Sequence, residues 1–411
     1  MQPARRITQI QLVAQMHDDQ PGPCLQIGEP CPHHIHEPGE PVATKTNDLC
    51  NDTQVAKLGC MTPSGSSKVT LVQVADLAGV SVMTASYTYN QPDRVSDQAR
   101  SKVLAAAAQL SYPGPNPSAR SLRRGLSRTL GVVIGEHLSY AFDDPQAVSF
   151  LAGIADVCAD RGYGVTLVPI TGAADDVGRV TEAAVDGFIV WTTSDDDPVL
   201  TAVQSTKRPA VIHGGPALPG LQLVSIDNRA AARAIGAIAF PGASRPAIVS
   251  QPLSRDRIST ITRGADITHV PFPVTRHRLA GYRDAAEAAG FDWRNVTVAV
   301  CARNDEVEAE QMTARLLAAV EPPDTILAMS DQQAVGVVRA LHAAGHTIPD
   351  EVAVTGWDDA PVAERLGLTT VAQSLRDQGS ACARAALGQD PGPFTRSWTI
   401  VRRASTRDLA R

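Results

Sequence analysis

The chain has 411 residues, of which 43% are hydrophobic and 19% are charged, and its formal net charge is −6. A chain of this length usually divides into two or more domains. The composition is that of a soluble globular protein, and the absence of a run of about 18 apolar residues excludes a membrane-spanning class.

Residues 1–66 are rich in Pro, Gly, Gln, Asp and His, which predicts a mostly disordered extension. No continuous apolar segment follows Arg5 and Arg6, so no secretory signal is expected and the cytoplasm is the expected location. A cluster of possible zinc ligands in this extension lacks the usual paired spacing, and we expect no metal site there. The cluster comprises Cys24, Cys31, His33, His34, His36, Cys50 and Cys60.

Residues 67–113 predict a small helical head. Thr70 is suited to cap a first helix from about Leu71 to Ala78, which Gly79 ends. After a tight turn, Ser81 caps a second helix. Helix, short glycine turn and helix are typical of the helix-turn-helix arrangement.

A third helix, capped by Ser96, completes the predicted head, and its apolar stripe of Val103, Ala107 and Leu110 should face the core. Residues 114–128 follow as a short hinge that is too small to stay helical alone. Between residues 68 and 130 the chain has eight basic and three acidic side chains, which suggests a polyanionic partner. A solvated surface is the alternative explanation of these charges.

From residue 129 onwards, short apolar runs alternate with helical patterns. Such alternation predicts parallel sheets with crossover helices, and the number of units predicts two doubly wound subdomains with a cleft between them. The runs are Gly131 to Ile134, Val165 to Val168, Gly187 to Trp191, Ala210 to Ile212, Ala247 to Val249, Thr297 to Val300, Thr325 to Ala328 and Val352 to Thr355.

The order of motifs resembles the lactose and galactose repressor family of bacterial regulators. In the head, Val69 to Ser81 (VTLVQVADLAGVS) is similar to the family's first helix and turn, and Thr84-Ala85-Ser86 continues the pattern. Arg94-Val95-Ser96 opens the third helix, and Asn116 to Leu122 (NPSARSL) resembles the hinge helix. The departures are Tyr87, where Arg or His is usual, Tyr89, where leucine is usual, one extra residue between Tyr112 and Asn116, and a longer loop before Arg278.

The resemblance extends through the sensor. The matching motifs are Arg278 to Tyr282 (RLAGY), Ser330-Asp331, Ile348 to Asp359 (IPDEVAVTGWDD) and Leu368 to Val371 (LTTV). The resemblance implies an all-α helix-turn-helix head followed by an α/β sensor of two doubly wound, periplasmic-binding-protein-like subdomains. We expect residues 129–226 and 357–375 in the first subdomain, and residues 227–356 and 376–411 in the second.

The resemblance also implies how the head binds DNA. Val82, Met83 and Tyr87 should read base edges in the major groove, unless the first two pack inside the head. Leu122 should enter the minor groove from a paired hinge helix. The remaining predicted DNA contacts, mostly to phosphates, are Ser81, Thr84, Ser86, Asn90, Asn116, Ser118 and Arg120.

In the sensor, the matching positions imply a small-molecule effector, a sugar or nucleoside-like compound, between the two subdomains. Arg278 and Asp331 are the strongest candidates, with a surface ion pair and a helix cap as their alternative roles. The full predicted set is Tyr140, Phe142, His213, Asp227, Arg255, Arg278, Asn304, Asp331 and Trp357.

Taken together, the sequence predicts an allosteric repressor, a cytoplasmic, nucleoid-associated homodimer that binds a palindromic DNA operator. No dinucleotide, P-loop or nucleophile-elbow motif is present, so we expect neither an enzyme nor a cofactor. The alternatives on the same fold are an enzyme and a solute-binding protein, but a solute-binding protein would have no use for a head. The identity of the effector, and whether it induces or corepresses, stay open.

Overall fold

The computed structural model describes residues 69–115, 125–135, 138–171, 175–389 and 397–408. The predicted extension over residues 1–66 lies outside this set, as do four predicted DNA contacts. These four are Asn116, Ser118, Arg120 and Leu122.

The head contains the three predicted helices, α1 (Leu71–Ala78), α2 (Val82–Asn90) and α3 (Asp97–Gln109). Thr70 and Gln73 form a capping box at the start of α1, and Gly79, at φ 64°, ends it in the left-handed conformation that glycine adopts without strain. The predicted caps Ser81 and Ser96 are confirmed. The head core is small and lies where the three helices meet. Its buried members are Val74, Ala75, Ala85, Val103, Ala106 and Ala107.

The first sheet of the sensor has five parallel strands in the order β2-β1-β3-β4-β5. They are β1 (Thr129–Ile134), β2 (Gly164–Pro169), β3 (Gly187–Trp191), β4 (Ala210–His213) and β5 (Gln222–Val224). The accompanying helices are α4 (Tyr140–Asp143), α5 (Pro145–Arg161), α6 (Asp176–Thr181) and α7 (Pro198–Ser205). Both faces of this sheet carry a hydrophobic core, as the near-continuous apolar runs predict.

The second sheet has seven strands in the order β12-β11-β10-β9-β6-β8-β7. They are β6 (Pro246–Ser250), β7 (Thr260–Arg263), β8 (Thr297–Val300), β9 (Thr325–Ala328), β10 (Ala353–Asp358), β11 (Thr369–Gln373) and β12 (Trp398–Val401). Its chain segment also contains α8 (Asn228–Ala239), α9 (Pro273–Ala288), α10 (Glu306–Leu317), α11 (Asp331–Ala343), α12 (Pro361–Arg365) and α13 (Leu375–Ala386). A core covers each face of this sheet as well.

The two edge strands of the second sheet depart from the predicted parallel pattern. β7 pairs antiparallel with β8 and β12 antiparallel with β11. β7 lies inside the segment that the sequence suggests is only a long loop. An edge strand needs a single partner and can keep one side in solvent, so the polar sequence TITR gives no clear apolar signal there.

The predicted division of the sensor is wrong near its carboxyl end. β10 and β11 pair in parallel within the second sheet, with Trp357 opposite Val371, so residues 357–373 belong to the second subdomain. α13 belongs to the first subdomain, where Ala381 and Cys382 join the core beneath α5. β12 returns to the second sheet. The chain therefore crosses between the subdomains near residue 226, at Ser374, and again after α13.

No helix within the described ranges combines the length and apolar character needed to cross a bilayer.

Candidate functional site

The second helix of the head presents apolar side chains to solvent at its beginning. Val82 is 43% exposed and Met83 is 62% exposed, which rules out the alternative that they pack inside the head. Ala85 and Thr88, one turn further, face the core instead. The first turn of α2 is thus free to contact a partner, as a recognition helix requires.

The polar residues of α2 are largely occupied with each other. The Ser81 hydroxyl accepts a hydrogen bond from the Thr84 amide at 3.0 Å, and the two hydroxyls lie 2.8 Å apart. Asn90 Nδ2 donates to the Ser86 carbonyl at 3.0 Å and to its hydroxyl at 3.3 Å. These bonds fix the helix ends, and the DNA roles predicted for these residues stay predictions.

Tyr87 lies on the same helix with its ring half-buried. The Arg94 guanidinium carbon lies 5.9 Å from the ring centroid, a cation–π contact. This contact orients Tyr87, which stands where the family pattern usually has Arg or His.

The sensor has a cavity of about 150 Å³ between its two subdomains. On the first side it is lined at the ends of β1, β3 and β4 by Ile134, Trp191 and His213. On the second side Ser330 follows β9 and Asp358 ends β10. Ligands of open α/β sheets bind at such carboxyl ends of parallel strands, so the cavity is a candidate ligand cleft.

Two buried side chains, Arg278 and Asp358, form one wall of this cleft. Arg278 Nε donates to Asn228 Oδ1 at 3.0 Å and Nη1 donates to the Met329 carbonyl at 2.5 Å. The guanidinium carbon stacks 4.0 Å from the Trp357 ring centroid. Burial raises the pKa of Asp358 well above its usual value, and the charge of Arg278 opposes that rise. The two side chains offer a cationic donor and an acidic group to the same small space.

Asp358 is held in an unusual backbone conformation. Its φ is 111° and that of Asp359 is 55°, values that L residues rarely adopt. Such strain costs about 1–3 kcal/mol and is found mainly at functional sites. Asp358, at the end of β10, lines the cleft in this conformation.

A line of hydrogen bonds joins the two subdomains across the cleft. His213 Nε2 lies 2.9 Å from Gln378 Oε1, Gln378 Nε2 donates to Gln373 Oε1 at 3.1 Å, and Gln373 Nε2 donates to Asp358 Oδ1 at 2.7 Å. Because Gln378 contributes an oxygen to His213, the imidazole proton lies on Nε2. His213 Nδ1 is then a buried acceptor, and it has no partner among the residues that the structure describes.

Lowering the pH should destabilise the protein through His213. Burial lowers the pKa of His213 from 6.5 to about 4, so the unfolded chain binds this proton more readily than the folded chain. Stability should therefore fall as the pH drops from about 6.5 towards about 4, by up to about 3 kcal/mol from this group. Urea unfolding across this range should show a flatter pH dependence for His213→Gln than for the wild type; equal slopes would contradict the assignment.

Aromatic rings line the first-subdomain side of the cleft. Trp191 lies 6.1 Å from Tyr140 and 4.6 Å from Phe150, and Phe150 lies 4.6 Å from His213, measured between ring centroids. Phe272 contributes a ring from the second subdomain. Such rings stack on the apolar faces of sugars and planar ligands.

Polar contacts between the subdomains surround the cleft. Arg276 Nη1 lies 2.5 Å from Asp195 Oδ2, and Arg255 pairs with Asp196. Asn304 Nδ2 donates to Asp144 Oδ2 at 2.8 Å. These contacts close the cleft, and a larger outer chamber of about 880 Å³ adjoins it, with Arg255 in its wall.

The structure brings together five of the nine predicted effector residues. Tyr140, His213, Arg278 and Asn304 line the inner cleft, and Arg255 lines the outer chamber.

The other four predicted residues do not line either cavity. Phe142 is 65% exposed. Asp227 caps α8 by accepting from the Ala230 amide at 2.9 Å. Trp357 is fully buried behind Arg278.

Asp331 is the fourth of these residues. Its carboxylate accepts hydrogen bonds from the Trp357 amide, the Ala360 amide and the Thr370 hydroxyl at 2.7–2.9 Å. All of these donors belong to β10, β11 and the loop between them, so Asp331 fastens the second sheet to α11 and does not face the cleft.

Residues adjacent to two of these four line the cleft. Asn228 replaces Asp227, and Asp358 replaces Trp357. A motif locates a strand end or helix start, but the direction of each side chain there depends on the local backbone. Trp191, Gln373 and Gln378 also line the cleft and were missed. The two glutamines lie in apolar patterns, where they give no distinct signal.

Comparisons with known proteins agree with this organisation. Residues 70–116 match the family described as bacterial regulatory proteins, lacI family, and residues 256–406 match the periplasmic binding protein-like domain. The chain is 35% identical to the HTH-type transcriptional regulator Rv3575c of Mycobacterium tuberculosis, over 78% of this chain and 90% of that protein.

Two solved structures share the fold. A complex of the transcriptional regulator CelR with cellobiose has a TM-score of 0.55 and 25% identity, and the match covers 82% of this chain and 99% of that one. The lac repressor dimer bound to operator and an anti-inducer has a TM-score of 0.65 and 24% identity, with the same coverage.

A helix-turn-helix head joined to a two-subdomain sensor defines a DNA-binding transcriptional regulator, not an enzyme. The chain belongs to the lacI family of bacterial regulatory proteins.

Proposed function

We propose that this protein is a repressor that binds a palindromic operator as a homodimer in the cytoplasm, associated with the nucleoid, and that a small sugar or nucleoside-like effector in the cleft controls its operator affinity. The observation that carries the proposal is the buried network from His213 to Asp358, which connects both subdomains inside the cavity. A ligand that bonds to this network contacts both halves at once.

The cleft chemistry favours a neutral, hydroxyl-bearing effector. Arg278 is a hydrogen-bond donor, and Asp358 lines the same wall with a carboxyl group, so the two side chains offer hydrogen bonds that suit hydroxyl groups. His213 Nδ1 adds a buried acceptor, and Trp191 and Tyr140 add ring faces. Alternating hydroxyls and C–H faces are the pattern of a sugar, and CelR was solved with cellobiose.

The head supports operator binding by a pair of chains. Its exposed reading surface, with Val82 and Met83 at its centre, covers only a few base pairs. A second head on the adjacent half-site doubles the contacts, and a two-fold dimer then requires a palindrome. Effector binding shifts operator affinity by as much as its affinities for the two sensor states differ.

Selection of duplexes from a random library by the purified chain tests the proposal. The selected sequences should be palindromic, and the double variant Val82→Ala/Met83→Ala should bind them about 10–100 times more weakly while binding an unrelated duplex unchanged. Leu104→Ala is the matched control, because Leu104 is a 44% exposed apolar residue on α3 of the same head.

Release of the selected duplex by ribose, cellobiose and nucleosides then tests the sensor. A monomer that shows no duplex preference but binds a sugar would instead identify a solute-binding protein. If none of these compounds either weakens or strengthens binding of the selected duplex, the proposed effector class is contradicted, while the proposed DNA-binding role still stands.

A further inference from the structure

The chain enters the sensor through Ser127 and Arg128, directly before β1, and one carboxylate holds both residues. The Ser127 amide and hydroxyl donate to Asp186 Oδ1 at 2.6 and 2.8 Å, and the Arg128 amide donates to Asp186 Oδ2 at 2.8 Å. The Asp186 amide donates in return to the Thr129 carbonyl at 2.8 Å. Asp186 is 59 residues away in sequence from Ser127, so this is a tertiary contact and not a local turn.

Asp186 is firmly connected to the centre of the first sheet. It directly precedes β3, which pairs in parallel with β1 from Leu130 opposite Gly187 onwards. Hydrogen bonds to a charged acceptor are about twice as strong as those between neutral groups. The last residues before β1 are therefore held as part of the sheet, although they are the end of the segment that leads from the DNA-binding head.

The second subdomain repeats the same arrangement without a head attached. Asp324 directly precedes β9, and its carboxylate accepts from the Ser244 and Arg245 amides at 2.9–3.2 Å. The Asp324 amide donates to the Arg245 carbonyl at 3.1 Å. Ser244 and Arg245 lead into β6 as Ser127 and Arg128 lead into β1. The clamp is thus a feature of this kind of subdomain, and only its first copy holds a segment that leads to DNA.

We propose that Asp186 is a positioning residue for operator binding: it fixes the sensor end of the hinge, so that movement of the first subdomain reaches the head. If the joint were loose, the segment before Ser127 could reorient while the sensor stayed still, and specific binding would have to restrain it first. This inference rests on the proposed regulatory function. It adds a residue that contacts neither DNA nor the cleft.

The variant Asp186→Asn tests the role. Asparagine keeps one oxygen acceptor but directs an NH₂ group towards the other amide, so the clamp is broken on one side. We expect the affinity for the selected palindromic duplex to fall about tenfold, the affinity for an unrelated duplex of equal length to stay unchanged, and sugar-induced release to shrink.

Asp324→Asn is the matched control. It breaks the same clamp in the other subdomain, so it should lower the melting temperature by a similar amount while leaving both duplex affinities at the wild-type value. Equal losses of operator affinity in the two variants, or none in Asp186→Asn, would overturn the inference. A wild-type chain that does not distinguish the two duplexes would overturn the proposed function itself.

Two further measurements apply if Asp186→Asn does not fold. Ser127→Ala removes only the hydroxyl bond to Asp186, and it should weaken selected-duplex binding about two- to threefold. Amide hydrogen exchange of Ser127 and Arg128 in the wild-type protein should be slow both with and without the duplex. Rapid exchange of these amides in the free protein would contradict a fixed joint.

Discussion

Arg278→Ala should abolish sugar binding and destabilise the protein by about 3 kcal/mol or more, because two buried acceptors lose their charged donor. Arg278 is 6% exposed, and its guanidinium supports Asn228, the Met329 carbonyl and the Trp357 ring at once. The substitution leaves Asp358 buried beside the cavity without its opposing charge. Isothermal titration with the releasing sugar, together with urea unfolding, measures both effects.

The size of this loss should depend on pH. Removing Arg278 lets the pKa of Asp358 rise further, because burial raises it and Arg278 opposes the rise. A carboxyl whose pKa is raised in the folded state stabilises that state fully when the pH is below the ordinary carboxyl pKa. This stabilisation is lost as the pH rises through the raised pKa. The deficit of the variant should therefore be larger near pH 8 than near about pH 5.

Arg276→Ala is the appropriate control for Arg278→Ala. Arg276 pairs with Asp195 across the subdomains, and its side chain is 25% exposed, so its loss should cost only about 1 kcal/mol or less. A deficit in Arg278→Ala that matches that of Arg276→Ala, at either pH, would show that the buried Arg278 has no special role.

Gly379→Ala should destabilise the first subdomain by about 3 kcal/mol or more, because α13 crosses α5 too closely for a methyl group. A Cβ on Gly379 would lie 2.1 Å from the Phe150 carbonyl oxygen, and one on Gly153 would lie 1.9 Å from the Arg376 carbonyl oxygen. Backbone atoms cannot move aside as a flexible side chain does, so the helices must separate.

Separation of these helices should also reach the cleft, since Gln378 precedes Gly379 and bonds to His213. Thermal unfolding and sugar titration of Gly379→Ala measure the two consequences. Gly178→Ala is the control: no atom lies within 4 Å of its added Cβ, so the change should be neutral or stabilising by up to about 1 kcal/mol. Wild-type stability in Gly379→Ala would contradict the observed helix crossing.

Local signals were sufficient for most of the secondary structure. In the head, the capping residues Thr70, Ser81 and Ser96 and the glycine after α1 placed each helix start and the first stop where the structure has them. The central parallel strands were visible because both of their faces are buried, which produces continuous apolar runs. The edge strands β5, β7 and β12 were missed because an edge strand is only partly buried.

The candidate cleft was predicted less completely. Arg278, His213, Tyr140 and Asn304 line it, but Asp331 is hydrogen-bonded to β10, β11 and the loop between them, although its motif was among the clearest. A carboxylate that binds backbone amides and one that binds a ligand both occur at a fixed place in a motif. The sequence pattern records the place, while only the surrounding donors distinguish the two roles.

By itself, the sequence determined the helix-turn-helix head, the two-subdomain α/β sensor and the membership of the regulator family, because these follow from periodicity, caps and ordered motifs that are local along the chain. The tertiary structure alone decided that residues 357–373 join the second sheet and α13 the first subdomain. It alone also decided that Asp358, not Trp357, faces the cleft. Strand pairing and side-chain direction depend on partners distant in sequence, and a linear pattern contains no record of which partner is chosen.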